Sequence, residues 1–247
     1  LLPPGALGAA VLEGIVDRVR PLVDYASGLR EGPARTLDVD IDLGSHRLSG
    51  TVSGLHGNNL VSVSYSSLGA KHRIAGWLNA LALAAGAPDE NWTAHTIGRY
   101  GSSGKFSMIR PLPQGEAAAL LGTLVQIRQQ GLREPLPLPI KTSLAWAEEH
   151  CHVLRGRDAD PDAAALREWR TPAFNDSGFP KEDQDAWHVR AFGQAAPYRV
   201  LTGAIRPRRA ATSMLASPSS VVRPEPPWVW TATSVELQAT SPAAYLA

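Results

Sequence analysis

This sequence is poor in cysteine, in net charge and in long apolar runs. Its one cysteine, Cys151, excludes an internal disulfide and is typical of a reducing compartment, which predicts a cytoplasmic location. A formal net charge of +1 excludes the strong basic field of an autonomous nucleic-acid-binding protein, so any contact with nucleic acid must be local. No apolar run approaches the roughly 20 residues that cross a bilayer, so no membrane partner is expected.

The rest of the composition is that of a folded domain with an appendage. Of the 247 residues 44% are hydrophobic and 19% are charged, which is enough to bury a substantial core. We expect this domain to occupy residues 1–203. Residues 204–247 are rich in Pro, Ser and Ala and have no sustained period, which predicts an irregular appendage. The chain begins at Leu1 without an initiator Met, which predicts an excised piece of a longer protein.

The stretch from residue 47 to residue 86 has the pattern of two strands followed by a helix. Apolar and polar residues alternate over 47–53 and over 60–66. Between them lie the residues His-Gly-Asn-Asn, which tolerate positive φ and favour a hairpin turn. Apolar residues then recur at helical spacing over 74–85, and Gly86 ends the helix.

This strand-turn-strand-helix unit resembles the RecB-type nuclease fold. Members of that family carry Gly-x-Ile-Asp on one strand, Asp-Tyr-Lys on the next and a following helix with Leu-x-x-Leu-Ala-Leu. Here residues 50–53 read Gly-Thr-Val-Ser and residues 64–66 read Ser-Tyr-Ser. Ser53, Ser64 and Ser66 therefore stand where the two acids and the lysine would be.

The loss of those three side chains has a definite chemical meaning. Such nucleases hold Mg²⁺ with carboxylate oxygens, and their lysine helps to position the attacking water. Serine hydroxyls keep the shape of such a site but none of its charge. We therefore expect no catalytic residue, no metal and no cofactor, with Ser53, Ser64 and Ser66 as vestigial site positions.

A nuclease scaffold with a disabled site resembles the C-terminal domain of RecC, the gamma subunit of exodeoxyribonuclease V. Further stretches carry the same resemblance, in a specific order along residues 2–201: the opening Leu-Pro-Pro-Gly, the segment AGWLNALAL and the run PLPLP. The resemblance implies an α/β, restriction-endonuclease-like fold of the PD-(D/E)XK type. That fold has a mixed central sheet flanked by helices, here with the active-site residues lost.

The resemblance also implies a function and partners. The expected role is that of a non-catalytic scaffold and DNA-handling domain in the RecBCD helicase-nuclease, which processes double-strand breaks in recombinational repair. The expected partners are the RecB and RecD subunits and DNA.

Two other interpretations remain open. In the first, the chain is an active Mg²⁺-dependent nuclease in which Asp40 or Asp42 replaces a lost carboxylate and Lys71 replaces the lost lysine. In the second, it is an unrelated α/β interaction module. The position of two serines distinguishes these cases, because the disabled-nuclease interpretation requires the Ser53 and Ser64 hydroxyls to converge on one cleft.

The candidates for contact with DNA are basic residues, of which three lie near a predicted hairpin and two lie near the start of the predicted helix. Residues 92–112 contain two predicted strands around a turn at 101–104, which has the Gly and Ser content of a hairpin. The same turn breaks the phosphate-loop pattern at both ends, so we expect no nucleotide site there. The DNA-binding candidates are Arg99, Lys105, Arg110, Lys71 and Arg73.

The remaining elements are predicted to be mainly helical. We expect a first helix over 2–26 that Pro21 kinks or ends, a strand over 36–43, and a helix over 114–131. Thr142 or Ser143 offers the N-cap of a helix that runs to residue 154. That helix contains a Glu-Glu-His-Cys-His run whose spacing does not suit a metal site.

A last helix is expected from Pro161 to Trp169. Asp160 precedes it in the N-cap position, and proline is favoured in the first helical position because its missing N–H costs nothing there.

Overall fold

The computed structural model describes residues 3–100, 103–172, 174 and 180–193. Within these ranges the chain forms two compact units, one ending at Gln129 and the other beginning at Gln130. The predicted domain boundary at residue 203 and the appendage over 204–247 lie outside the described residues and stay predictions. No helix in the described ranges is long and apolar enough to cross a membrane.

The first unit contains five strands and three helices, of which the last ends just past the unit boundary. In chain order they are α1 (Gly5–Leu29), β1 (Arg35–Asp42), β2 (Arg47–His56), β3 (Asn59–Ser67), α2 (Ala70–Gly86), β4 (Thr93–Tyr100), β5 (Ser103–Ile109) and α3 (Gln114–Gly131).

The strands form one mixed sheet in the order β1-β2-β3-β4-β5. Neighbouring strands are antiparallel except for β3 and β4, which are parallel and are connected by α2. A parallel pair requires such a crossover, and a helix is its usual form. The mixed α/β class predicted from the sequence is confirmed.

The two faces of the sheet bury different helices. On one face Val39, Val52 and Leu60 share a core with the buried residues of α2 and α3. On the other face Val61 and Ile97 form a smaller core with Leu22 and Ala26 of α1. Since side chains alternate along a strand, each strand residue can be assigned to the α1 face or the α2 face.

Of the two alternatives predicted for Pro21, the one in which the proline ends α1 is wrong. The helix runs through Pro21 to Leu29. Proline removes one helical hydrogen bond, whereas Leu22, directly after it, and Ala26, about one turn further on, are almost completely buried against the sheet. This packing stabilises the helical turn that the proline weakens.

The second unit is helical. It contains α4 (Ile140–Leu154), α5 (Pro161–Trp169), a 3-10 turn (Glu182–Gln184) and α6 (Ala186–Phe192). The predicted Asp160 cap of α5 is confirmed, since its carboxylate accepts a hydrogen bond of 2.9 Å from the N–H of Ala163.

The predicted N-cap of α4 is wrong. The helix begins one turn earlier than expected, with Pro139 in the N-cap position, and Thr142 lies inside the first turn. The carboxylate of Glu182 takes over the capping role. It accepts hydrogen bonds from the N–H groups of Lys141 (3.0 Å) and Thr142 (2.9 Å) and from the Thr142 hydroxyl (2.8 Å).

Candidate nucleic-acid interface

Two cation–aromatic pairs lie at the end of the sheet where β3 and β4 end and β5 begins. The guanidinium carbon of Arg99 is 4.9 Å from the centroid of the Tyr65 ring, and the Lys105 ammonium is 5.2 Å from the Tyr100 ring. Strand alternation places Arg99 and Tyr65 on the α1 face and Lys105 and Tyr100 on the α2 face. We call this end of the sheet the hairpin end.

The register of β3 and β4 produces the pair on the α1 face. Ser67 of β3 lies opposite Arg99 of β4, after an irregularity in the ladder that follows Val63. This shift brings the Tyr65 ring beside the Arg99 side chain, although 34 positions separate the two residues in the sequence. The attraction between a cation and the face of an aromatic ring has a free energy of about 0.5–1 kcal/mol at an exposed site.

A second aromatic contact holds the same face together. The rings of Tyr25 and Phe106 are stacked with centroids 4.7 Å apart and planes inclined at 19°. Tyr25 comes from α1, so this stack connects the helix to the middle of β5. Burial raises the pKa of the Tyr25 phenol, which therefore stays neutral.

Each of the two pairs contains its own solvent-accessible aromatic ring. Tyr65 is 43% exposed and Tyr100 is 54% exposed. Arg99 is half-buried, and its Nε–H is buried without a hydrogen-bond partner in the described part of the chain, so this donor does not face solvent. An arginine beside an exposed ring is suited to binding an anion through the part of the guanidinium that solvent reaches.

A buried histidine lies under α1 in the same strand as Arg99. His95 is 6% exposed, and burial lowers the pKa of its imidazole below 6.5. The ring is therefore neutral at pH 7 and adds no charge to this face of the sheet.

The five predicted DNA-binding residues do not form one surface. Arg99 and Lys105 lie at the hairpin end. Arg110 is exposed and follows the last residue of β5. It lies five residues beyond Lys105, which is about 17 Å along an extended strand at 3.4 Å per residue. Lys71 is exposed in the first turn of α2.

Arg73 is placed differently from its prediction. It is only 4% exposed, because the inward face of α2 carries it into the protein. A buried guanidinium offers no surface to a DNA backbone, so Arg73 is not among the contacts proposed below.

The three serines at the vestigial positions do not come together. Ser64 and Ser66 follow Leu60 at even spacing on β3 and therefore belong to the α2 face. Ser53 is the neighbour of buried Val52 on β2 and is exposed on the opposite face. The convergence of Ser53 and Ser64 that a disabled nuclease site would require is not found, so the interpretation of these serines as the remains of one metal site is wrong.

A bulge fixes the position of Ser53. The pairing of β1 with β2 shifts by one residue at this point, leaving Gly54 as the extra residue. Gly54 has φ +81, a conformation that glycine adopts without strain, as expected for the extra residue of a bulge.

The two aspartates of the alternative nuclease site are occupied by other contacts. Asp40 forms an ion pair and hydrogen bonds with Arg47, which hold the pKa of the Asp40 carboxyl below its ordinary value. Asp42 accepts a hydrogen bond of 2.8 Å from the N–H of Gly44. Both lie on the exposed face of β1, whereas Lys71 belongs to α2 on the other side of the sheet.

Within the described ranges no group of three or more His, Cys, Asp or Glu side chains lies close enough together to hold a metal ion. In the Glu-Glu-His-Cys-His run of α4, the His150 ring stacks on the Trp146 ring with centroids 4.6 Å apart. The Nδ1 atom of His152 lies 3.6 Å from a carboxylate oxygen of Glu149. These contacts agree with the structural role predicted for that run.

The sequence does not predict the ring contacts of Tyr65 and Phe106, which are with Arg99 and Tyr25 respectively. In the sequence Tyr65 belongs only to the strand pattern and to the Ser-Tyr-Ser motif. The one signal in the sequence was an aromatic residue near the end of a polar strand, which does not identify a partner. Their contacts depend on the parallel pairing of β3 with β4 and on the packing of α1.

Comparisons with known proteins identify the family. A family model described as the RecC C-terminal domain matches residues 1–151. The RecBCD enzyme subunit RecC of Mycobacterium tuberculosis is 40% identical over 203 residues, which is 82% of this chain and 18% of the relative. The RecBCD enzyme subunit RecC of Mycolicibacterium smegmatis is 44% identical over 209 residues, which is 83% of this chain and 18% of the relative.

These matches agree with the resemblance found from the sequence motifs, which is thereby confirmed. The chain spans about a fifth of the length of these relatives. Because the family model covers more than half of the chain, the chain belongs to the RecC C-terminal domain family.

Proposed function

We propose that this chain is a non-catalytic scaffold and DNA-handling domain of a RecBCD helicase-nuclease. In this role it assembles with RecB and RecD in the cytoplasm and takes part in double-strand break processing and recombinational repair. Its relatives are RecC subunits of the RecBCD enzyme, which supports this assignment. The observation that carries the DNA-handling part is the pair of cation–aromatic contacts at the hairpin end.

We further propose that the fold is restriction-endonuclease-like. Three antiparallel strands in sequential order, followed by a helical crossover to a parallel strand, support this description. The family motifs fall on β2, β3 and α2, in the expected order. Because Ser53 and Ser64 lie on opposite faces, the description depends on the order of strands and motifs and not on a preserved cleft.

Two features support a non-catalytic role. Ser53, Ser64 and Ser66 carry no charge, and Ser53 lies on the face opposite to Ser64, so these positions cannot hold Mg²⁺ together. The aspartates that could replace them are paired with Arg47 and with a backbone N–H, away from Ser64 and Lys71. Neither arrangement gives the octahedral set of anionic oxygens that Mg²⁺ prefers.

Metal binding and DNA cleavage test the non-catalytic role. We expect calorimetry on the 247-residue chain to show no binding of Mg²⁺ or Mn²⁺ at micromolar affinity, and linear DNA to stay intact in the presence of either ion. Cleavage that is lost in Asp40→Ala or Asp42→Ala, but kept in Asp38→Ala on the same strand, would instead identify an enzyme with relocated carboxylates.

Charge-removing variants test the DNA contact. Each phosphate contact that is lost should reduce the slope of log K against log salt by about 0.7 for single strands and about 0.9 for duplex. We therefore expect Lys105→Gln and Arg99→Gln each to weaken binding of an oligonucleotide and to reduce this slope, as measured by fluorescence anisotropy at several salt concentrations.

Variants at other positions provide the controls for that titration. Arg128 is exposed near the end of α3, far along the chain from the hairpin end, so Arg128→Gln should leave the slope unchanged. Lys71→Gln and Arg110→Gln determine how far the interface extends. An equal effect of Arg128→Gln and Lys105→Gln would show that the hairpin end has no special role.

A further inference from the structure

The Tyr65 ring is an exposed aromatic side chain on the α1 face of the sheet. It is 43% exposed, and the Arg99 guanidinium lies 4.9 Å from its centroid. Val63, two residues earlier on the same face, is also 40% exposed. The α1 face of β3 is therefore covered by α1 at Val61 but open at Val63 and Tyr65.

The β5 residue beside Arg99 has no side chain. This residue, Gly104, lies opposite Arg99 in the ladder and is buried. The next residue of β5 on this face, Phe106, is held in its stack with Tyr25. The result is a ledge formed by Val63, Tyr65 and Arg99, bordered by the Tyr25–Phe106 stack.

The chemistry of the ledge is apolar and aromatic with one positive charge. Among the described residues Arg99 forms no ion pair with a carboxylate. Its contact with the ring orients the Tyr65 side chain, and the rest of its charge is available to an anion. An aromatic face beside an arginine is the combination that binds a base and its phosphate together.

We propose that Tyr65 stacks on a base of single-stranded DNA and that Arg99 both orients the ring and binds the neighbouring phosphate. This inference rests on the proposed DNA-handling function and assigns it a residue and a class of substrate. Bases of a duplex are already stacked on one another, so only an unpaired base can offer its face to the tyrosine. The contact is sequence-tolerant, because every base has such a face.

Stacking can be separated from charge by substitutions at Tyr65 alone. Tyr65→Leu removes the aromatic face but keeps the charge and an apolar side chain, whereas Tyr65→Phe keeps the aromatic face. We expect Tyr65→Leu to weaken the binding of a single-stranded oligonucleotide to the 247-residue chain by roughly 5- to 100-fold, as for the loss of one stacked base. Tyr65→Phe should bind within about twofold of the unmodified chain, and neither variant should alter the salt dependence.

A duplex of the same length provides the comparison. Its affinity should change less than about twofold in Tyr65→Leu, since it has no free base to stack. An oligonucleotide with 2-aminopurine gives a direct readout, since its fluorescence should change on binding to the unmodified chain and change less on binding to Tyr65→Leu. The change with the unmodified chain does not depend on the folding of a variant, and the retained affinity of Tyr65→Leu for duplex shows that the variant is folded.

The outcomes distinguish this inference from the function on which it rests. If the unmodified chain binds neither oligonucleotide, the DNA-handling proposal fails and the stacking inference fails with it. If it binds single strands but Tyr65→Leu binds them equally well, or loses single-strand and duplex binding to the same extent, only the stacking inference is overturned.

Discussion

Replacing Glu182 by alanine should lower the free energy of unfolding of the second unit by roughly 2–4 kcal/mol. The carboxylate is 8% exposed and accepts three hydrogen bonds from Lys141 and Thr142. Alanine would leave two N–H groups in the first turn of α4 without their partner, together with the Thr142 hydroxyl. Thr142 is completely buried, so water cannot easily replace the lost acceptor.

The helix itself adds to this effect. No acidic residue lies in the first turn of α4, and Pro139 in the N-cap position provides no side-chain acceptor. The negative charge that normally stabilises a helix N-terminus is therefore provided by Glu182, about 40 residues along the chain. Its removal affects both the cap and the interaction with the helix dipole.

Denaturant unfolding with two further variants measures this contribution. Glu182→Gln keeps one acceptor oxygen and loses the charge, so it should lie between the unmodified chain and Glu182→Ala. Gln184→Ala, an exposed residue in the same 3-10 turn, should change the free energy of unfolding by less than about 0.5 kcal/mol.

Hydrogen exchange makes the same test specific to the site. The amides of Lys141 and Thr142 should exchange faster in Glu182→Ala than in Gln184→Ala, because they lose their acceptor. Equal protection of these amides in the two variants would mean that Glu182 does not cap α4.

Local patterns predicted the elements well where the period was strong. The alternation over 47–53 and 60–66 corresponds to β2 and β3, and the apolar spacing over 74–85 corresponds to α2. Each depends on one burial face per element, which a short stretch of sequence contains. The Asp160 cap was predictable for the same reason, since donor and acceptor are three residues apart.

Features that depend on contacts between distant residues were not predictable. The sequence offers Thr142 and Ser143 as caps for α4, but it does not show that Glu182 folds back onto that helix. It also does not show that Arg73 faces inward, because an arginine at the start of a helix is ordinarily exposed. The bulge at Gly54 separates Ser53 from Ser64 in a way that motif spacing alone cannot indicate.

The candidate site depends on such distant contacts even more strongly. Arg99 and Lys105 could be named as basic residues near a hairpin. Strand register determines which ring lies beside each cation and on which face each pair lies. For Tyr65 and Arg99 the register of β3 with β4 shifts at an irregularity between Val63 and Ser67, and no sequence pattern marks this irregularity.

The packing that fixes this register leads to a second prediction with a large effect. Replacing Gly98 by alanine should destabilise the first unit by about 1–3 kcal/mol, as overpacking of a filled core does. A Cβ at Gly98 would lie 2.9 Å from the Cβ of Leu68 and 3.0 Å from its Cα and N. Leu68 is buried and its N–H donates to the Arg99 carbonyl at 3.1 Å, so the backbone itself would have to move.

Gly50 provides a matched control for this substitution. It is also a strand glycine without positive φ, but a Cβ built there meets no atom within 4 Å. Gly50→Ala should therefore leave the midpoint of urea unfolding nearly unchanged, or raise it slightly through the smaller entropy of the unfolded chain. If Gly98→Ala and Gly50→Ala shift the midpoint equally, the close approach of Leu68 to β4 is not present in solution.

The same substitution connects packing to the proposed DNA contact. Movement of Leu68 would shift the end of β3 relative to Arg99 and so separate the Tyr65 ring from the guanidinium. We therefore expect Gly98→Ala, at a urea concentration where it is still folded, to bind single-stranded DNA more weakly than Gly50→Ala does. Because neither substitution removes a charge or a ring, a difference in affinity between them would arise from the altered position of Tyr65 and Arg99 relative to each other.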